Sequence, residues 1–433
     1  MHNMRSVFFD FHLPNATTWF YVSAIVTVSL FFRFNRPFSL RNLDLFLLFM
    51  PMPGFLLLLE GGTILQPYGW LVFSSTMIVI RCLVDGGLVK RAFQPTNINV
   101  PGLVWISCAL FVGLIAVTLD TANQRQPGPG GSTFPVEAVR AQGEEVLQSQ
   151  ARETLSMMRF WTERFLTLAC HAGIITGLVL FSWRHFGSSL AGLAVAATHL
   201  LLPYCYLLIP YNPLGIGRWE DTWPMAVLIW ALFWVRRPLL AGSLVGLSIG
   251  TVIFPLFVVP AWIGYYGWRS SLKFCLTALF TCLCCFFAAY FSGLYPSLLP
   301  SPNWIPWQAP SPGSESLWRA IPWAYRIPLF VLHILLALFC AFRPIKNDIG
   351  QLLAQNTLML AAIQWWLADR GGIHVLWYLP LLLLVVFRPG TVSVLPPSNE
   401  LPPSTEQAGS NPPTNRPSRR GPLGIFTRRR AST

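Results

Sequence analysis

The chain has 433 residues, of which 54% are hydrophobic and 11% are charged, whereas a soluble domain carries about 25% charged residues. Apolar runs of about 18 residues or more recur along most of the length, and each can cross the hydrocarbon core of a bilayer. This pattern excludes a soluble globular protein, and a transmembrane β-barrel would instead show alternating segments of about ten residues. We predict an all-α fold, a polytopic transmembrane helical bundle of about 11–13 membrane segments.

The net charge of +13 does not indicate a protein that binds nucleic acid. Most Lys and Arg flank apolar spans, where they set orientation, and the others cluster in the C-terminal tail. The nine cysteines show no metal-ligand spacing. We therefore predict membrane lipid as the surrounding partner, with no nucleic acid, no metal site and no cofactor.

The apolar segments predict the membrane spans in chain order. Their boundaries are 17–34, 43–60, 68–89, 101–119, 160–183, 187–209, 222–235, 239–254, 255–268, 274–294, 325–342, 351–368 and 373–387.

Short basic connectors predict the orientation of these spans. They include "RFNR" (33–36), "RR" (236–237), "WRSSLK" (268–273) and "RPIK" (343–346). The positive-inside rule assigns such connectors to the cytoplasm. Counting crossings of the cell membrane then places the N-terminus outside and the C-terminus in the cytoplasm.

Residues 239–268 are apolar but contain glycines at every fourth position, Gly242, Gly246 and Gly250, followed by two prolines. The basic connectors on either side must face the same compartment, so we predict a helical hairpin in which 239–254 enters the membrane and 255–268 returns. Pro255 marks the turn because it lacks the N–H that a continuous helix needs. The glycines allow another helix to approach closely. The alternative is one kinked helix that crosses the membrane.

Three further regions are predicted outside the spans. Residues 120–159 form an external loop, in which a Pro/Gly linker precedes an amphipathic helix on the membrane surface. Residues 295–324 form a second external loop, rich in Trp and Pro. Residues 389–433 form a disordered, basic, Pro/Ser-rich cytoplasmic tail, whose arginines would attract anionic lipid head groups.

The candidates for chemistry are ionisable residues at the predicted outer ends of the spans, since no soluble-enzyme motif is present. Asp120 ends the fourth span, and Glu220 and Asp221 lie between the sixth and seventh spans on the same predicted side. A carboxylate at this position could accept a proton from an acceptor hydroxyl. The alternative is an acid that is solvated or caps a helix.

Ionisable residues within the spans need partners or a cavity. Arg81 and Asp85 are four residues apart on one helix, which predicts an intrahelical ion pair. His171, His199 and His333 are each predicted to be packing residues rather than ligands.

The segment 223–269 resembles integral-membrane glycosyltransferases of the C superfamily, most closely the branch that uses polyprenyl-phosphate-linked mannose or related sugars. In that family a helix ending in paired arginines is followed by Ala-Gly, a helix of small residues, a proline break and a second proline. The matching residues stand here in the same order: Ala241, Gly242, Gly246, Pro255 and Pro260. The family also places an aspartate at the end of a span before a long external loop, as Asp120 stands before residues 121–159.

The resemblance implies a membrane core over residues 101–388, preceded by a three-span N-terminal addition over 1–100. It implies transfer of a sugar from a polyprenyl-phosphate donor to an acceptor on the non-cytoplasmic face. Asp120 would be the general base and Asp221 the second catalytic acid.

Two features depart from the family pattern. Val252 stands where the family commonly has a lysine that meets the donor phosphate, and the external loop lacks a Tyr-Pro-Pro run. The residues expected at the substrate are then Arg218, Glu220, Arg319 and Arg326. The other interpretation is a non-catalytic relative.

Two further functions stay open on the sequence alone. Secondary transporters also build binding sites from broken helices, although no internal repeat pairs the broken segment with an equivalent one in another half of the chain. A structural membrane protein without a small-molecule site is the second alternative.

Overall fold

The computed structural model of the protein describes residues 16–61, 63–85, 96–120, 149–207, 219–292, 304–311, 314–342 and 348–389. All of them belong to one compact unit, residues 1–391. The greater part of the first predicted external loop, residues 121–148, lies outside the described residues, as do Arg218 and the predicted tail from 390 onward.

The described part of the chain confirms the all-α, multi-pass architecture, since it contains helices and no strand. Six of its helical segments are long and apolar enough to cross a membrane, and five shorter apolar helices accompany them. The helices are α1 (Ala16–Phe31), α2 (Leu40–Phe49), α3 (Met52–Leu59), α4 (Leu65–Val84), α5 (Val100–Asp120), α6 (Ser149–Phe186), α7 (Ser189–Leu201), α8 (Tyr204–Leu207), α9 (Trp219–Phe233), α10 (Pro238–Thr251), α11 (Val259–Phe291), α12 (Leu317–Ala320), α13 (Arg326–Phe342), α14 (Ile349–Trp366) and α15 (Val375–Phe387).

The last two helices, α14 and α15, form the centre of the bundle. Nearly every residue of both is buried. α15 is apolar on all sides, as expected for a buried helix, whereas α14 also buries the polar side chains of Gln355, Asn356 and Gln364. α14 packs against α4, α13 and α15, while α15 also contacts α7 and α9. Their neighbours therefore shield both helices from lipid and from water.

Two predicted spans are broken where proline interrupts the helix. The span predicted at 43–60 divides into α2 and α3 at Pro51, and the one predicted at 187–209 ends at Leu201, just before Pro203. In the other direction, α6 begins at Ser149, ahead of the span predicted from 160. Residues 149–159 thus continue directly into the spanning helix.

The predicted helical hairpin is present. α10 ends at Thr251, a short 3-10 turn occupies Phe254–Val258, and α11 begins at Val259. The Tyr266 hydroxyl donates to the carbonyl of Val235 at 2.6 Å, so the returning arm is back at the level where α10 started. The alternative of one helix crossing the membrane is therefore excluded.

A second reversal follows at Gly267, where φ is 66° and ψ is 174°. Residues 268–291 then run alongside α10 in the same direction. A side chain at Gly242 would meet Phe274 and Thr277, one at Gly246 would meet Ala278, and one at Gly250 would meet Cys285. The glycine repeat is thus the face along which α10 and the second part of α11 approach closely, as small residues allow in membrane proteins.

The two ends of α15 define two ends of the bundle. Arg388 follows its last turn and donates to Asp85 at 3.1 Å, while Phe387 packs on Phe31 with ring centroids 4.9 Å apart. We call this the basic end. The opposite end, at residues 367–374 between α14 and α15, is called the loop end.

The ion pair predicted between Arg81 and Asp85 is confirmed at the basic end. Arg81 Nη1 lies 2.9 Å from Asp85 Oδ1, and its Nε lies 2.5 Å from Asp44 Oδ1 on α2. Together with Arg388, these residues form a buried chain in which two acids alternate with two arginines. Each charge has an opposite partner, which is the condition for burying it in a membrane bundle.

Candidate functional site

The connection between α14 and α15, "LADRGGIH" (367–374), is buried and irregular. Arg370, Gly371 and Gly372 have φ angles of 49°, 62° and 75°. Arg370 is the one non-glycine residue with positive φ among the described residues, a conformation that costs about 1–3 kcal/mol and persists only when the surroundings fix it. A strained arginine in a buried loop is a candidate functional feature.

The surroundings fix this loop from two directions. Ser316 and Asp369 form an antiparallel bridge, and the backbone N–H of Leu317 donates to the carbonyl of Ala368 at 2.9 Å. On the other side, the N–H of Gly371 donates to the Tyr68 hydroxyl at 2.9 Å. The second predicted external loop therefore folds back onto the bundle and holds residues 367–374 in place.

Charged side chains meet at this end. Arg370 Nη2 lies 3.2 Å from Asp221 Oδ1, and the Asp221 side chain is only 2% exposed while that of Arg370 is 23% exposed. His374 Nε2 lies 3.6 Å from Asp369 Oδ1. We call Asp221, Asp369, Arg370 and His374 the loop-end cluster.

The tip of the hairpin reaches the same place. The indole N–H of Trp223, two residues after Asp221, donates to the Thr251 hydroxyl at the end of α10 at 3.2 Å. Phe254, in the 3-10 turn, stacks on Trp377 with ring centroids 4.0 Å apart, and Trp377 contacts His374 edge-on at 4.5 Å. The broken helix and the loop-end cluster thus belong to one site.

The structure places the predicted site residues as follows. Asp221 lies in the cluster. Arg326 is buried beside it, but its guanidinium donates to the carbonyls of Trp366 and Gln308 at 3.0 and 3.3 Å, which suits a role in holding the loop. Arg319 is exposed and donates to the Ser314 carbonyl at 3.4 Å. The structure describes the backbone of Asp120 and Glu220 but not their side chains, so their roles stay predictions.

Sequence reasoning missed Asp369, Arg370 and His374. These residues lie between two long apolar segments and read as a short connector. The sequence does contain a signal for this site: two charged residues stand beside two consecutive glycines in a short connector. Such a connector at a membrane end must satisfy its charges inside the protein, because it is too short to form a solvated loop.

Chemically, the loop-end cluster suits an anionic ligand. A guanidinium has five N–H donors in a fixed fork that matches phosphate or carboxylate. One donor of Arg370 engages Asp221, and its partial exposure leaves the group accessible. The neighbouring carboxylates could accept a proton or orient a hydroxyl.

Comparisons with family models, with curated proteins and with solved structures found no match for this chain.

Proposed function

We propose that the protein transfers a sugar from a polyprenyl-phosphate donor to an acceptor at the loop end of the bundle. The observation that carries this proposal is the contact of the hairpin tip with Trp223 and Trp377, which lie close in sequence to Asp221 and to the loop that carries Arg370. In the resembling glycosyltransferases the broken hairpin is a shared element, and here its tip contacts the helix that supplies an acid and lies beside a loop that supplies a cation.

The reaction would proceed in one displacement. The acceptor hydroxyl oxygen attacks the sugar C1, a carboxylate removes the hydroxyl proton, and the C1–O bond breaks with its electron pair leaving on the lipid phosphate. Arg370 would stabilise the charge that develops on this phosphate, since donors aimed at developing charge are a major source of catalysis.

The two predicted acids receive different roles. The Asp221 carboxylate is already engaged by Arg370, so we assign it to positioning that arginine for the phosphate. Asp120, at the end of α5, is assigned as the general base. Arg370 takes the phosphate-binding role for which Arg326 was a sequence candidate, because the Arg326 guanidinium is bonded to two carbonyls.

The test is a transfer assay in proteoliposomes that contain the full chain. Polyprenyl-phosphate mannose labelled in the sugar is supplied with an extract of membrane glycolipids and glycoproteins, and both loss of donor and appearance of labelled product are measured. Asp120→Asn should lower the rate by roughly 10²–10⁴-fold, as loss of a general base does. Asp221→Asn and Arg370→Gln should weaken donor use, with the larger effect on the donor KM.

Glu60→Gln provides the matched control, because Glu60 is an exposed carboxylate after α3, outside the loop-end cluster. It should retain the full rate. Passage of the intact donor across the bilayer without cleavage of the sugar–phosphate bond would instead identify a transporter. Full transfer activity in Asp120→Asn would remove the assigned base.

A further inference from the structure

A cluster of three ligand-type side chains lies inside the bundle, apart from the loop-end cluster. His171 on α6, His199 on α7 and Cys205 on α8 are all buried, and one ligand atom from each lies within 4.8 Å of the others. His199 Nε2 and Cys205 Sγ are 3.6 Å apart. The three residues come from three different elements, so no short spacing in the sequence reveals them.

These distances fit an ion held between the side chains. With Zn–N near 2.0–2.1 Å and Zn–S near 2.3 Å, ligand atoms around a tetrahedral zinc lie about 3.3–3.6 Å apart. The His199–Cys205 separation is already in this range. The separations that involve His171 are at most 4.8 Å, so His171 would have to move by roughly 1 Å for all three side chains to coordinate one ion.

The chemistry of the set selects the metal. Two imidazoles and one thiolate are nitrogen and soft sulfur ligands, which exclude calcium and magnesium and favour zinc. We propose that His171, His199 and Cys205 bind a zinc ion. Binding would release the Cys205 thiol proton to solvent, because the thiolate is the form that coordinates.

The position of the cluster indicates what the ion would do. α7 ends at Leu201, before Pro203, and α8 starts at Tyr204, so Cys205 lies directly after a helix break. An ion bound there would tie this break to α6. The indole N–H of Trp230 donates to the Gly173 carbonyl at 3.2 Å, which connects this part of α6 to α9, the helix that carries Asp221. The zinc would thus fix the elements that carry the loop-end cluster.

A packing role makes a different prediction for Cys205. Its thiol also donates to the His199 carbonyl at 3.3 Å, the carbonyl that has no helical donor because residue 203 is proline. A serine hydroxyl can make the same hydrogen bond but is a poor zinc ligand. Cys205→Ser therefore separates coordination from packing.

The experiment measures metal content in the purified full chain and needs no activity. After dialysis against a weak chelator, the wild type should retain zinc in equimolar amount by mass spectrometry of the metal. Cys205→Ser and His199→Gln should lose it, while Cys340→Ser, a buried cysteine on α13 outside the cluster, should keep it. A strong chelator should lower the melting temperature of the wild type and of Cys340→Ser, but not that of Cys205→Ser.

Cobalt substitution covers the case in which a variant fails to fold. Wild-type protein loaded with Co²⁺ should show a thiolate-to-cobalt charge-transfer band, which needs no variant. Absence of that band, zinc retained by folded Cys205→Ser, or copper found in place of zinc would each overturn the proposal.

Discussion

At the basic end, Arg81 is the ion-pair partner of two buried carboxylates. Its guanidinium contacts Asp44 on α2 and Asp85 after α4, and both carboxylates are nearly inaccessible to solvent. Asp85 also has Arg388 as a partner. Sequence spacing predicted the Arg81–Asp85 pair, but Asp44 and Arg388 come from distant parts of the chain and needed the fold.

Replacement of Arg81 by methionine should destabilise the protein strongly. The side-chain volume is largely kept, but two buried carboxylates lose a partner, and breaking a buried pair in this way costs about 3–5 kcal/mol. Thermal unfolding of the purified protein in detergent measures the effect. Arg36→Met replaces an exposed arginine in the connector between α1 and α2. It serves as the control and should leave the melting temperature nearly unchanged.

A second variant distinguishes stranded charge from lost packing. Adding Asp44→Leu to Arg81→Met removes a buried carboxylate that has lost Arg81, while Asp85 keeps Arg388. The double variant should therefore be more stable than Arg81→Met alone. A double variant less stable than the single one would show that Asp44 stabilises the protein through contacts other than its ion pair with Arg81.

Among the secondary-structure elements, the hairpin shows which features the sequence predicts and which it does not. Pro255 predicted the turn because proline interrupts the backbone hydrogen bonds of a helix. The two flanking basic connectors predicted it as well, because connectors on the same side of the membrane must be separated by an even number of crossings. The glycine repeat predicted a close helix contact, but its partner, residues 274–285 of α11, could not be found from local pattern. The site shows the same limit: Asp221 was found as an acid beside a span, whereas Arg370 entered it only through the tertiary fold.

Gly267 makes the second reversal. Whether Gly267→Ala lowers or raises the stability of the protein tests the hairpin. Its φ of 66° and ψ of 174° lie in a region that is essentially restricted to glycine, so Gly267→Ala should cost about 1–3 kcal/mol. In one continuous helix over residues 259–291 the same substitution would stabilise the protein by about 0.5–1 kcal/mol, because alanine is the better helix former.

The measurement is again thermal unfolding in detergent, with Gly69→Ala as the matched control. Gly69 lies in α4 and a Cβ there would meet nothing within 4 Å, so this variant should be neutral or slightly stabilised. An increase in melting temperature for Gly267→Ala would contradict the hairpin.

At the scale of the whole molecule, the bundle separates its polar groups between two ends. Arg184 packs over Phe233 at 4.6 Å and Arg237 over Trp234 at 5.3 Å, at the mouth of the hairpin, while its tip points to the loop end. Arg184 and Arg237 therefore lie at the basic end together with Arg388. The positive-inside rule predicts that such an end faces the cytoplasm, and this orientation stays a prediction.

The orientation can be tested by cysteine accessibility in a chain whose nine native cysteines are replaced by serine or alanine, with the melting temperature and monodispersity of that background checked first. Trp268→Cys reports on the basic end, since this side chain is 91% exposed beside the hairpin mouth, and Glu60→Cys reports on the loop end.

A membrane-impermeant maleimide added to intact cells should label position 60 and should label position 268 only after permeabilisation, because cytoplasmic connectors are the arginine-rich ones. Labelling of position 268 but not of position 60 would invert the protein, and the proposed sugar transfer would then face the cytoplasm. Labelling of both positions in intact cells would contradict the assignment of the two residues to opposite ends of the bundle.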